Sequence, residues 1–218
     1  MKEALRIMIV GCCLVSLSAP PITAQSRRDR RDRPEKLLDH AGVKPGMVIG
    51  EAGAGSGFLT FFLSRRVGEA GHVYANDIDA GSLRRLPERC EREGVDNITT
   101  ILGEVDDPLF PVNDLDLVTM IYAFHDFTEK VAWLRNVKKY MKPDAPIFIF
   151  DGQDSHTGLN RETAERIAAE AGFRLANHAH LHGGLWVYEL RRGPSEEGRG
   201  YTHESDSRTV RCWSISHR

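Results

Sequence analysis

The stretch Val48-Ile49-Gly50-Glu51-Ala52-Gly53-Ala54-Gly55-Ser56-Gly57-Phe58-Leu59-Thr60 decides how this chain folds. A short apolar run enters a glycine-rich loop, and the loop passes into Leu59 to Val67, whose apolar positions recur at helical spacing. Strand, glycine loop and helix in that order form the corner at which α/β sheets hold nucleotide-like ligands, beyond the carboxyl ends of their strands. Gly53, Gly55 and Gly57 let the backbone turn sharply and approach a ligand without a Cβ atom in the way. Twenty residues after Gly57 stands Asp77, at the end of the next apolar run. A carboxylate there can accept hydrogen bonds from both hydroxyls of a ribose.

Outward from this corner, short apolar runs alternate with amphipathic ones. Met47 to Ile49, His72 to Ala75, Ile98 to Leu102, Leu115 to Ile121 and Pro146 to Phe150 read as strands, and the runs between them as helices over Leu59–Val67, Ser82–Glu93, Thr128–Met141 and Arg161–Ala171. The third of these places Val131, Leu134 and Val137 on one stripe, with Thr128 as the cap and Pro143 beyond the end. Strands alternating with helices of that length imply βαβ units. Phe173–Leu181 and Leu185–Leu190 follow each other across Gly183-Gly184, with only His182 besides between them, which leaves no room for a helix and implies an antiparallel hairpin. The expected fold class is α/β: a Rossmann-like, mainly parallel sheet with helices on both faces and an antiparallel C-terminal edge hairpin, over residues 34–192.

The 218 residues are 41% hydrophobic and 28% charged with a net charge of −2, which excludes collagen, coiled coil and wholesale disorder. Both charge signs are interspersed, unlike a dedicated nucleic-acid binder. Residues 1–24 carry Lys2 and Arg6, then the apolar run Ile7 to Ala19, then Pro20-Pro21 and Ile22-Thr23-Ala24, the layout of a secretory signal peptide cleaved after Ala24. The expected location is therefore exported, periplasmic or secreted, with no integral membrane span once the signal is removed. Ile9-Val10-Gly11-Cys12 resembles a lipobox, so anchoring at Cys12 is the alternative. Residues 25–33 read as a charged arm, and residues 193–218, polar and aperiodic, as a disordered tail. The four cysteines, Cys12, Cys13, Cys90 and Cys212, lack the spacing of a zinc site.

The glycine spacing separates two ligand classes. A dinucleotide fingerprint starting at Gly53 requires its third glycine at position 58, which is Phe. Glu51-Ala52-Gly53-Ala54-Gly55-Ser56-Gly57 instead resembles motif I of the class I S-adenosylmethionine-dependent methyltransferases. The resemblance extends to Lys44-Pro45-Gly46, Val73 to Asp79, Leu102-Gly103-Glu104, Asp114 to Val118 and the run from Leu134-Arg135-Asn136 to Met141-Lys142-Pro143. It implies that Glu51 and the loop of Gly53, Gly55 and Gly57 hold the methionine and ribose end of S-adenosylmethionine. Asp77 would take the ribose hydroxyls, and Ile78 would lie against the adenine. Glu104 would contact the adenine, with Val105 and Asp106 as neighbours able to contribute instead. Asp79 reads as a helix N-cap or a surface carboxylate, and Asp114 and Asp116 as flanks of strand four.

Methyl transfer from a sulfonium is a direct displacement that needs alignment and, for many acceptors, a base. The carboxyl end of strand four offers Tyr122, Phe124, His125 and Asp126. His125 is the candidate base, paired with Asp126 as the catalytic set, although an imidazole there also reads as a capping or pocket-lining group. Asp151, Gln153 and Asp154 are expected at the acceptor rim. The resemblance implies a small-molecule acceptor, and the chain lacks the Asn/Asp-Pro-Pro-aromatic segment of similar DNA methylases. His178, His180 and His182 alternate and so should share one strand face, remote from the cofactor; no metal is expected, because direct methyl transfer needs none. The alternative function is an exported S-adenosylmethionine-binding module without catalysis. A nicotinamide-dependent oxidoreductase is disfavoured by Phe58.

Overall fold

The structure, a computed structural model, describes residues 32–153 and 159–193. The expected signal peptide, the expected arm up to residue 31, Asp154 and the expected tail beyond Gly193 lie outside these residues. Among the described residues no helix is long and apolar enough to cross a membrane.

The elements run α1 (Pro34–His40), β1 (Val48–Ala52), α2 (Thr60–Val67), β2 (His72–Asp77), α3 (Ala80–Leu83), α4 (Arg85–Glu93), β3 (Ile98–Leu102), β4 (Leu117–Ile121), α5 (Lys130–Val137), β5 (Ile147–Gly152), α6 (Arg161–Glu170), β6 (Phe173–His182) and β7 (Leu185–Arg192). Single 3-10 turns at Phe124–Asp126 and Lys138–Tyr140 flank α5. One seven-stranded sheet has the order β3-β2-β1-β4-β5-β7-β6. β1 to β5 pair in parallel, and β7 pairs antiparallel to both β5 and β6. This is the expected Rossmann-like sheet with its C-terminal hairpin. The strand order reverses between β1 and β4, and the crevice at that point is where such sheets bind ligands.

The sheet is buried on both faces. In β4, Val118 and Met120 pack with Trp133 and Leu134 of α5 and Ile167 of α6, whereas Leu117 and Ile121 face Leu37 of α1 and Leu63 of α2. Strands so covered read as continuous apolar runs, which is why β4 and β5 are unmistakable in the sequence.

Three local expectations change. Ser82–Glu93 is not one helix. Asp79 caps α3 through Gly81 N and Ser82 N, and Pro87, the third residue of α4, has no N–H to donate back towards Leu83, which breaks the ladder between the two helices. Thr128 does not cap α5: Glu129 occupies the N-cap position without a side-chain bond, and Lys130 Nζ donates to the carbonyls of His125 and Phe127 instead. The three histidines of β6 do not share a face. A register shift between His180 and His182 places His182 opposite Leu185, near the charges of Asp32, Arg33 and Lys36, while His178 stacks on Trp186 at 4.7 Å. Nor is the hairpin remote from the site: its Gly183-Gly184 turn follows His182, which is paired through Leu185 to Gly152 at the carboxyl end of β5.

Candidate active site

A cleft of about 290 Å³ opens at the carboxyl ends of the parallel strands. Gly53 contributes from the β1 loop, Asn76, Asp77 and Ile78 from the end of β2, and Glu104 and Val105 from the loop after β3. Tyr122, Ala123, Asp126, Phe127, Thr128 and Trp133 form the opposite wall. Seven of the residues singled out from the sequence as site candidates thus meet around one space: Gly53, Asp77, Ile78, Glu104, Val105, Tyr122 and Asp126.

The others hold that space from outside it. Gly55 donates its N–H to Asp77 Oδ2 at 2.8 Å, while Asp77 Oδ1 accepts from Asp79 N at 2.9 Å. Gly57 serves packing, since a Cβ there would stand 2.5 Å from Leu86 Cδ2. Asp106 does not line the cleft; its carbonyl accepts from Asn136 Nδ2 at 2.8 Å and anchors the loop after β3 to α5. Asp116 is structural as expected, accepting from Val48 N at 2.8 Å and Lys142 Nζ at 2.6 Å.

Glu51 is buried beneath the loop, and its Oε2 meets no hydrogen-bond partner. Burial raises its pKa from 4.5 to about 8, the negative charge of Asp77 adds to the rise, and the hydroxyl of Thr60 opposes it without completing a hydrogen bond. The folded chain therefore holds this proton more tightly than the unfolded chain does. Below about pH 4.5 both states are protonated; as the pH rises towards 8 the unfolded state ionises first and stability is lost. Each tenfold difference in proton affinity between the two states is worth about 1.4 kcal/mol, so the full effect amounts to several kcal/mol. The ligand-free thermal midpoint is expected to fall between pH 5 and 8 and to fall less in Glu51→Gln. A pH series of melting curves checks this, and equal slopes in the two proteins would refute it.

The cofactor implied by the resemblance fits these residues. An orphaned carboxylate oxygen suits the cationic methionine end, Asp77 in the cleft wall keeps acceptor capacity on each oxygen that suits ribose hydroxyls, and two exposed apolar side chains, Ile78 (58%) and Val105 (50%), offer faces to a planar base.

On the far side, Tyr122 sits in the left-handed region at φ 50, a conformation that costs a non-glycine residue roughly 1–3 kcal/mol. Its N–H donates to Phe150 O at 2.9 Å, and its hydroxyl donates to buried Asp32 Oδ1 at 3.3 Å. The strained residue opens the 3-10 turn that carries His125 and Asp126. His125 Nδ1 lies 2.8 Å from Asp151 Oδ1, and Nε2 lies 3.4 Å from Asp126 Oδ2. The Asp126 side chain is 82% exposed and that of Asp151 fully buried. Asp151 therefore does not reach the acceptor rim; it stands behind His125. Sequence reasoning also missed Phe127, Thr128 and Trp133. Thr128 read as a helix cap, and a buried Trp133 on α5 carries the same local pattern whether it lies in the core or in a cleft wall.

A family model described as a methyltransferase domain matches residues 49–144. The ubiquinone/menaquinone biosynthesis C-methyltransferase UbiE of Vibrio cholerae is 30% identical over 195 residues, covering 72% of this chain and 74% of that protein. The UbiE of Vibrio vulnificus is 29% identical over the same length. Among solved structures, a SAM-dependent methyltransferase from Aquifex aeolicus superposes with a TM-score of 0.68 at 29% identity, covering 76% of this chain and 93% of that one. With the glycine loop, Asp77 and the reversed strand order all converging on one cleft, the chain belongs to the class I S-adenosylmethionine-dependent methyltransferases.

Proposed function

We propose that the chain methylates a small hydroxylated aromatic acceptor that must give up a proton as it gains the methyl group, with His125 as the base. The observation that carries this reading is the His125 imidazole, whose Nδ1 lies 2.8 Å from a buried carboxylate and whose Nε2 lies beside the cleft residue Asp126. S-adenosylmethionine supplies, when bound, a methyl group on a sulfonium that departs with the bonding electron pair on sulfur. Glu51, Asp77, Ile78 and Val105 would hold it, and Gly53 keeps the loop close. His125 Nε2 takes the proton that leaves the acceptor hydroxyl or ring carbon, and exposed Asp126 is placed to pass it to solvent. Tyr122, Phe127 and Trp133 give the cleft wall aromatic character suited to a ring. The UbiE relatives, whose names place them in quinone biosynthesis, support an acceptor of this class.

The test uses labelled S-adenosylmethionine with hydroquinone as the probe acceptor. His125→Ala should lower methyl transfer by roughly 100-fold or more while cofactor affinity stays within about twofold, because a general base contributes on that scale. Transfer at the parental rate in that variant would remove His125 from the mechanism. Tight cofactor binding with no transfer would instead favour the binding module without catalysis, a role for which a His125–Asp151 pair at the cleft has no use.

A further inference from the structure

The carboxylate of Asp151, at the carboxyl end of β5, has no exposed surface, and among the described residues its hydrogen bonds are to backbone N–H groups and to the ring of His125. Oδ1 accepts from the N–H of Gly152 at 2.9 Å, and Oδ2 accepts from the N–H of His125 at 3.0 Å. The ring nitrogen Nδ1 of His125 lies 2.8 Å from Oδ1 and 3.0 Å from Oδ2, shared between them. Both oxygens already act as acceptors towards backbone groups, and a carboxylate offers acceptor sites only. Nδ1, which faces both oxygens, therefore carries the hydrogen.

We infer that Asp151 is a positioning residue: it fixes His125 as the tautomer protonated on Nδ1, which leaves the lone pair on Nε2, 3.4 Å from Asp126 Oδ2 at the mouth of the cleft. This rests on the reading of His125 as the base and adds what makes it one, since the opposite tautomer would present an N–H to the acceptor and could take no proton. The backbone of the turn is secured independently. Lys130 Nζ donates to His125 O at 2.9 Å and to Phe127 O, and Asp126 N donates to Ala123 O at 3.0 Å. Those bonds hold the main chain of the 3-10 turn and leave the ring free to rotate about its side-chain torsions. Among the polar contacts of the ring, the two to Asp151 are the short ones and the one to Asp126 is longer. The register of β4 and β5 sets the pair's spacing, because Ile121 lies opposite Phe150, one residue before Asp151.

A role confined to bracing the turn would act through the His125 N–H alone and leave the ring indifferent to Asp151. Nitrogen-15 NMR of the full chain labelled on histidine separates the two. In the parent, neutral His125 should be protonated on Nδ1, with a downfield proton slow to exchange. In Asp151→Asn, which keeps the shape of the side chain but loses its charge, that proton should move upfield and exchange at least tenfold faster. S-adenosylmethionine affinity, measured by calorimetry, should stay within about twofold as the check on folding. With hydroquinone as probe, turnover should fall at least tenfold and KM for the cofactor should hold. Neutral His125 protonated on Nε2 in the parent, a measurement that needs no variant, would overturn the inference. So would an Asn variant whose Nδ1 proton keeps its shift and exchange rate. Neither reading depends on an acceptor, so a failure of hydroquinone methylation would count against the proposed acceptor class and leave the tautomer result standing.

Discussion

Asp77→Ala is expected to weaken S-adenosylmethionine binding by about tenfold to several hundredfold, a net loss of roughly 1.5–3.5 kcal/mol in hydrogen bonding to a charged acceptor. The residue stands at the end of β2 in the cleft wall, and each oxygen retains a lone pair beyond the one already used. From sequence alone, a carboxylate at a strand end should matter little for folding. The structure alters that expectation, because Asp77 ties down Gly55 N on one side and Asp79 N on the other. Removing it frees the apex of the glycine loop and the entry to α3 together. At about 1 kcal/mol for each partly solvated bond, the ligand-free midpoint should fall by a few degrees. Asp77→Asn should lie between, since its one carbonyl oxygen can serve one backbone donor while its NH₂ opposes the other. Calorimetric affinity and unliganded melting temperature, measured on both variants, give the comparison. An alanine variant that binds as tightly as the parent would dissolve the ribose assignment, and with it the register of the glycine motif.

That dual role of Asp77 shows where the sequence was legible. Its distance from the loop and its place at a strand end follow from local periodicity, which also gave β1 to β5, the C-terminal hairpin and the N-cap of α3 by Asp79. What periodicity does not encode is which side chains meet across the sheet. His125 and Asp151 are 26 residues apart and come together only because β4 and β5 are neighbours in a particular register. The register shift before His182 adds a residue that alternation cannot anticipate, so one expected face of three imidazoles became two. The division of Ser82–Glu93 was legible and missed, for Pro87 stands inside it. Trp133 could not be separated from core by pattern, being 2% exposed in the apolar cluster and also a wall of the cleft.

Alanine at Gly53 should damage both stability and cofactor binding. Gly53 has φ 69, a conformation costing other residues about 1–2 kcal/mol, and a Cβ there would stand 2.3 Å from Ala123 Cβ. Neither side can give way easily. Gly53 leaves β1 directly, and β1 is paired to β4 through Glu51 and Thr119. Ala123 is held between Tyr122, whose N–H is bonded to Phe150 O, and the turn that carries His125. Relieving an overlap of that kind typically costs a further 1–3 kcal/mol, so the melting temperature should fall by roughly 10 °C. Cofactor binding should be lost as well, because any retreat of the loop widens the cleft between Gly53 and Ala123, both of which line it. Gly55→Ala is the contrasting case. It shares the backbone penalty at φ 54, but its Cβ would meet nothing within 4 Å, so its loss of stability should stop at that penalty. The decisive comparison is the pair Gly53→Ala with Ala123→Gly. Deleting the opposing methyl leaves Ala123 Cα at 3.7 Å, an ordinary contact, and removes the overlap while the φ strain remains. The double variant should therefore recover about half of the lost stability and a measurable part of the affinity. If it melts no higher than Gly53→Ala alone, backbone strain and not the approach of the two loops is what demands glycine at position 53.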